Sequence, residues 1–80
     1  MRRPGTRSVH SIRYKTMLGR LRAARVSAGL TQVQVAQALR RDQSFVSKCE
    51  LGERRIDPID LADFAKLYRQ PLDYFLRDGS

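Results

Sequence analysis

The side chains able to do covalent or metal chemistry in this 80-residue chain are few. There is one cysteine, Cys49, and one histidine, His10. A nucleophilic pair of the two needs a third group to orient the imidazole, and nothing in the sequence points to one. The same two residues fall short of the four ligands of a structural zinc site, and a lone cysteine closes no internal disulfide. The pairs Asp57/Asp60 and Asp60/Asp63 resemble acid–base couples only out of context. They fall in the first turns of a helix opened by Asp57-Pro58, where negative charge suits the helix dipole. No glycine-rich phosphate loop is present. Neither an enzyme nor a cofactor or metal site is therefore expected.

What the chain does carry is cationic and amide chemistry. Sixteen Lys and Arg stand against eight Asp and Glu, a net charge of +8. The excess is uneven: residues 1–30 hold eight basic side chains and no acid, and residues 57–80 hold three against five. One end suits a polyanion and the other does not. Within the middle of the chain, Gln43, Ser44, Ser47 and Lys48 cluster around Phe45. A glutamine amide offers a donor and an acceptor at the spacing of adenine N6 and N7, and a lysine reaches guanine O6/N7 or a phosphate. Phe45 is placed for a thymine methyl or the sugar edge; turned the other way, it joins the core. Arg40 and Arg41 precede this cluster, and Arg54 and Arg55 follow it. Read singly, each of these polar residues is equally a solvated face. They become a site only if one element presents them together.

The elements are helical throughout. Residues 1–8, with Pro4 and Gly5 among three arginines, read as a flexible basic arm, and residues 9–80 as the domain. Val9, Ile12, Met17, Leu18, Leu21, Ala24 and Ala28 recur mostly at three- and four-residue steps, predicting an amphipathic helix from Ser8 or Ser11 to Gly29. Thr31 and Gln34 form a capping box for a short second helix, with Leu30 and Val35 placed as a hydrophobic staple and Ala36 and Leu39 on its apolar side. Asp42 caps a third helix that Gly52 ends. Asp57-Pro58 opens a fourth with a stripe of Leu61, Phe64, Ala65 and Tyr68. Pro71 begins a fifth carrying Leu72, Phe75 and Leu76. Strand signals are absent, so the fold class is all-α. No apolar run approaches the ~20 residues of a membrane span and no signal peptide stands out, so a soluble, cytoplasmic protein with no membrane partner is expected.

Two short helices joined by about four residues, with a small alanine where they cross, describe a helix-turn-helix over about residues 31–51. The run Gly29-Leu30-Thr31-Gln32, then Ala36, Leu39, Gln43, Val46-Ser47, Glu50 and Gly52, resembles the Cro/phage-repressor-like (Xre-type) helix-turn-helix transcription regulators. The resemblance extends over residues 17–77 without a gap, taking in Leu61, Phe64-Ala65, Tyr68 and Leu72-Asp73-Tyr74-Phe75-Leu76. It implies a compact five-helix, lambda-repressor-like domain whose third helix enters the major groove of DNA. It places Gln32 where the family clamps a phosphate, and Arg54 and Arg55 on the flanking backbone or minor groove. It also matches Arg25 and Glu50 to a salt bridge that ties the first helix to the third. The sequence departs from the family's pattern at Arg40 and Arg69, where glycine is usual; a left-handed arginine costs about 1 kcal/mol relative to glycine.

Together these readings describe a sequence-specific double-stranded DNA-binding regulator, a repressor acting as a homodimer on a palindromic operator. The exposed apolar edge of the last helix, with Tyr68, Pro71, Leu72, Tyr74, Phe75 and Leu76, is the expected dimer interface. A chain this short has little room for a separate sensing domain, so control by concentration, proteolysis or a protein partner such as a cognate toxin is expected. The rival readings are a helix-turn-helix protein–protein adaptor and a non-specific binder of RNA or anionic surfaces. Antitoxin, phage switch and restriction–modification controller stay open together.

Overall fold

In the computed structural model, the described residues are 4–77, with side chains described from residue 12. They form five helices: α1 (Pro4–Ser27), α2 (Gln32–Leu39), α3 (Gln43–Leu51), α4 (Pro58–Tyr68) and α5 (Leu72–Leu76). No strand occurs among the described residues. No helix among them is long and apolar enough to cross a membrane.

α1 starts earlier than its periodicity suggests. Residues 4–8 of the expected arm are helical, ahead of Ser8 and Ser11 as caps. Pro4 tolerates the first turn because its fixed φ suits a helix and its missing N–H needs no partner there. Residues 1–3 of that arm lie outside the described residues, as does the side chain of Val9.

The capping chemistry of α2 and α4 forms as expected. Thr31 Oγ1 accepts from Gln34 N at 3.1 Å, and Gln34 Oε1 accepts from Thr31 N at 2.9 Å. Asp57 Oδ1 accepts from Asp60 N at 2.8 Å, with Pro58 in the first turn. Asp42 occupies the N-cap of α3 but makes no side-chain capping bond. Helices α2 and α4 end on Arg40 and Arg69, both left-handed at φ 58°. Arg40 N and Arg41 N reach back to Gln37 O and Ala36 O, and Arg69 N and Gln70 N to Lys66 O and Ala65 O, satisfying carbonyls that a helix end leaves free. α3 ends on Gly52 at φ 80°, where an added Cβ would stand 3.1 Å from Leu18 Cδ1.

The core is one cluster fed by every helix: Met17, Leu21 and Ala24 from α1, Val35 and Ala36 from α2, Phe45, Val46 and Cys49 from α3, Leu61, Phe64, Ala65 and Tyr68 from α4, and Phe75 from α5. No charged or polar residue is fully buried among the described residues. Ala36, 3% exposed, lets α2 and α3 approach closely, and those two helices form the helix-turn-helix. Two apolar residues of the expected α1 stripe, Ile12 and Ala28, face solvent instead. The stripe that packs is Met17, Leu21 and Ala24, with half-buried Tyr14 and Leu18 beside it.

α5 is held on α1 by arginines. Arg20 Nη1 donates to Tyr74 O and Arg77 O, and Arg13 Nη2 donates to Leu76 O at 3.0 Å. Cationic side chains on C-terminal carbonyls complement the helix dipole.

Candidate nucleic-acid interface

At about 100° per residue, Gln43, Ser44, Ser47, Lys48 and Leu51 fall within about 140° of one another around α3. Gln43, Ser44, Lys48 and Leu51 are exposed and Ser47 half-buried, while Phe45, Val46 and Cys49 on the other side are in the core. The helix therefore presents an amide, two hydroxyls and an ammonium outward as one strip. Leu51, 66% exposed at the end of this strip, is an apolar member that sequence reasoning missed. Its place at i+8 from Gln43 was the available signal.

Phe45 corrects its expected role. It is 7% exposed, and its ring stacks on Phe64 with centroids 6.0 Å apart and planes 5° from parallel. A ring in that place is a core residue, not an exposed member of the strip. Its outer surface is covered by cations: the guanidinium carbon of Arg41 lies 3.6 Å from the ring centroid, and that of Arg54 lies 5.1 Å away. Arg41 Nη1 also donates to Asp60 Oδ1 at 3.3 Å. Arg55 leans the other way, 4.9 Å from the ring centroid of Tyr14, whose hydroxyl accepts from Ile56 N at 2.9 Å. Tyr14 thus pins the loop after α3 to α1. Tyr14 went unremarked in the sequence although it keeps step with Met17, Leu21 and Ala24. Arg40 is exposed at the turn, beside Arg41.

The α3 scaffold is fixed by an ion pair. Arg25 Nε donates to Glu50 Oε2 at 2.6 Å and Arg25 Nη2 to Glu50 Oε1 at 3.1 Å, a bidentate pair whose side chains are 12% and 5% exposed. Arg25 Nη1 also donates to Leu30 O at 3.0 Å, closing the α1–α2 loop. The bond to Glu50 raises the Arg25 pKa above its already high value, burial opposing it, so the guanidinium stays charged. Gln32 joins this network: its Nε2 donates to Glu50 Oε1 at 3.1 Å. That partner was not foreseen. One carboxylate thereby ties α1, α2 and α3 together at the entrance to α2.

Cys49 is fully buried, and desolvation pushes its thiol up to about 11. It fills core space as a small hydrophobe. Tyr68 and Phe75 correct the expected interface at the other end. They are 3% and 1% exposed, Tyr68 stacking on Phe64 and Phe75 edge-on against Tyr74. The shorter α5 turns only Phe75 fully inward. Leu72 and Leu76, expected partly in the core, are 43% and 45% exposed, beside exposed Pro71 and half-buried Tyr74.

The matches to known proteins cover this same architecture. A family model described as a helix-turn-helix domain matches residues 17–74. Among solved structures, an Xre-family-like protein from Pseudomonas syringae pv. tomato str. DC3000 is 40% identical and superposes with a TM-score of 0.87, over 92% of this chain and 90% of that one. No curated protein matches the chain. Both matches take in α2, α3 and the helices that hold them, and the chain belongs to the Xre-type family of DNA-binding helix-turn-helix transcription regulators.

Proposed function

We propose that this protein is a sequence-specific repressor that binds a palindromic operator in double-stranded DNA as a homodimer in the cytoplasm. The observation that carries the reading is the outward strip of α3, with Gln43, Ser44, Ser47 and Lys48 on one side of a helix whose other side is packed. Gln43 and Ser44, in the first turn, read base edges; Lys48 reads a guanine or holds a phosphate. Arg40, Arg41, Arg54 and Arg55 supply sequence-independent attraction to the backbone. The Gln32 side chain supports Glu50, so its phosphate contact falls to its backbone N–H at the start of α2 and to its remaining amide hydrogen. The exposed edge of Pro71, Leu72 and Leu76, bordered by Tyr74, is the dimer contact; a two-fold axis there sets two recognition helices roughly 34 Å apart.

A mobility-shift experiment with random duplex competitor at two salt concentrations tests the reading. A complex on a selected duplex that survives competitor is the expected result. A shift abolished by competitor at both salts would identify a general polyanion binder. No shift at all would identify a protein–protein adaptor.

A further inference from the structure

Two like charges rest on one aromatic ring at the foot of α3. Arg41 lies over the centre of Phe45 and Arg54 lies against the same ring, although 13 residues separate them in sequence. Stacking a guanidinium on a ring satisfies its flat face and leaves its N–H edge turned outward. One Nη1 hydrogen of Arg41 goes to Asp60, and both arginines keep exposed positions. Asp60 and the Phe45 ring therefore hold Arg41 from two sides, and Phe64 backs the ring. Two guanidiniums on one ring repel each other, and Asp60 offsets only one of them. A tetrahedral oxyanion that accepts from both turns that repulsion into attraction.

We infer that Arg41 and Arg54 form a single clamp for one DNA backbone phosphate, with Phe45 and Asp60 as its positioning residues. The inference rests on the DNA-binding reading and adds the division of labour. Arg41 and Arg54 act as a unit on one phosphodiester, whereas Arg55, stacked on Tyr14, acts alone on another. Phe45 thereby contributes to affinity without touching DNA, by removing the freedom of two long side chains before binding.

Double-mutant cycles test the clamp on a fluorescein-labelled duplex recovered from a random pool by the wild-type protein. Arg41→Ala and Arg54→Ala are expected to be strongly coupled, the double variant weakening binding hardly more than either single one. Arg55→Ala is expected to multiply with both. Phe45→Leu keeps most of the apolar volume and both charges but removes the ring. It is expected to weaken binding about ten-fold, the scale of immobilising two rotamer-rich side chains. In the Arg41→Ala/Arg54→Ala background the same change is expected to do less than about a two-fold harm. A thermal melt of each variant separates these effects from unfolding, and the arginine cycle stands even if Phe45→Leu does not fold. Independent effects of Arg41→Ala and Arg54→Ala on a duplex that the wild type binds would overturn the clamp alone. Failure of the wild type to bind any duplex would overturn the DNA reading and the clamp with it.

Discussion

The Arg25–Glu50 pair offers the sharpest test of how the recognition helix is held. Arg25→Ala leaves the Glu50 carboxylate, 5% exposed, without its bidentate partner, and opens the α1–α2 loop by removing the donor to Leu30 O. Breaking a buried pair by deleting one partner costs about 3–5 kcal/mol, because the surviving charge is stranded. Here the Gln32 amide still donates to Glu50 Oε1, and the space left by the arginine admits water from the 12%-exposed side. Those two effects bring the expected loss down to about 2–3 kcal/mol. A domain of this size shifts its midpoint by roughly 4–8 °C per kcal/mol, so a melt followed by circular dichroism should fall by roughly 10–20 °C. The variant still folds at 25 °C if the parent has the ~5–15 kcal/mol usual for a domain. DNA affinity measured well below the lowered midpoint then reports any residual mispositioning of α3. An unchanged midpoint would refute the reasoning, since it would mean that water stabilises Glu50 as well as the guanidinium does.

Gln43→Ala should cost about 1–3 kcal/mol on the best duplex and flatten discrimination at one base position, while Arg54→Ala weakens all duplexes alike; equal effects of both across a panel of duplex variants would remove Gln43 from base reading. Leu72→Glu combined with Leu76→Glu should give a folded monomer with collapsed operator affinity, checked by sedimentation and circular dichroism, because both residues lie on the exposed edge of α5. Alkaline pH should destabilise the fold. Burial raises the Cys49 thiol from 9.0 to about 11 and raises the Tyr68 phenol as well, so the folded state holds these protons more tightly than the unfolded chain. Stability is then intact below pH 9 and declines as pH rises through 9–11, and Cys49→Ala should shallow that decline in melts across this window.

Local chemistry was legible in the sequence; of the long-range partners only Arg25 and Glu50 were, and those through the family pattern. The Thr31–Gln34 box, the Asp57-Pro58 start and the buried stripe of α4 each depend on residues within one or two turns, and each formed as read. Gln32 with Glu50, Arg41 with Asp60 and Tyr14 with Ile56 join separate elements 18, 19 and 42 residues apart, and a helical period says nothing about such pairs. Phe45 was ambiguous because an aromatic among Gln43, Ser44, Ser47 and Lys48 suits a base contact as well as a core, and its packing partner Phe64 comes from another helix, 19 residues on. For α5 the pattern overfilled the core. Five residues can turn only one large side chain fully inward, and Phe75 takes that place.

The two left-handed arginines carry the same backbone strain at two different helix ends. Arg40 and Arg69 share φ 58° and the same pair of backbone bonds to the preceding helix, so their conformational costs are alike. Each costs about 1–2 kcal/mol as an L-residue in this region, of which glycine would recover a part after its own greater unfolded-state entropy. Arg40→Gly and Arg69→Gly should therefore each stabilise by about 0.5–1 kcal/mol, a rise of a few degrees in the midpoint. Their effects on DNA should differ. Arg40 stands next to the Arg41–Phe45 stack at the foot of α3, so losing its charge should weaken all duplexes and lower the salt dependence by about one counterion. Arg69 closes α4 and leads into α5, and its replacement should leave affinity and salt dependence unchanged. Equal losses of affinity from both variants would mean that overall charge, not the placement of Arg40 at the turn, is what the DNA senses.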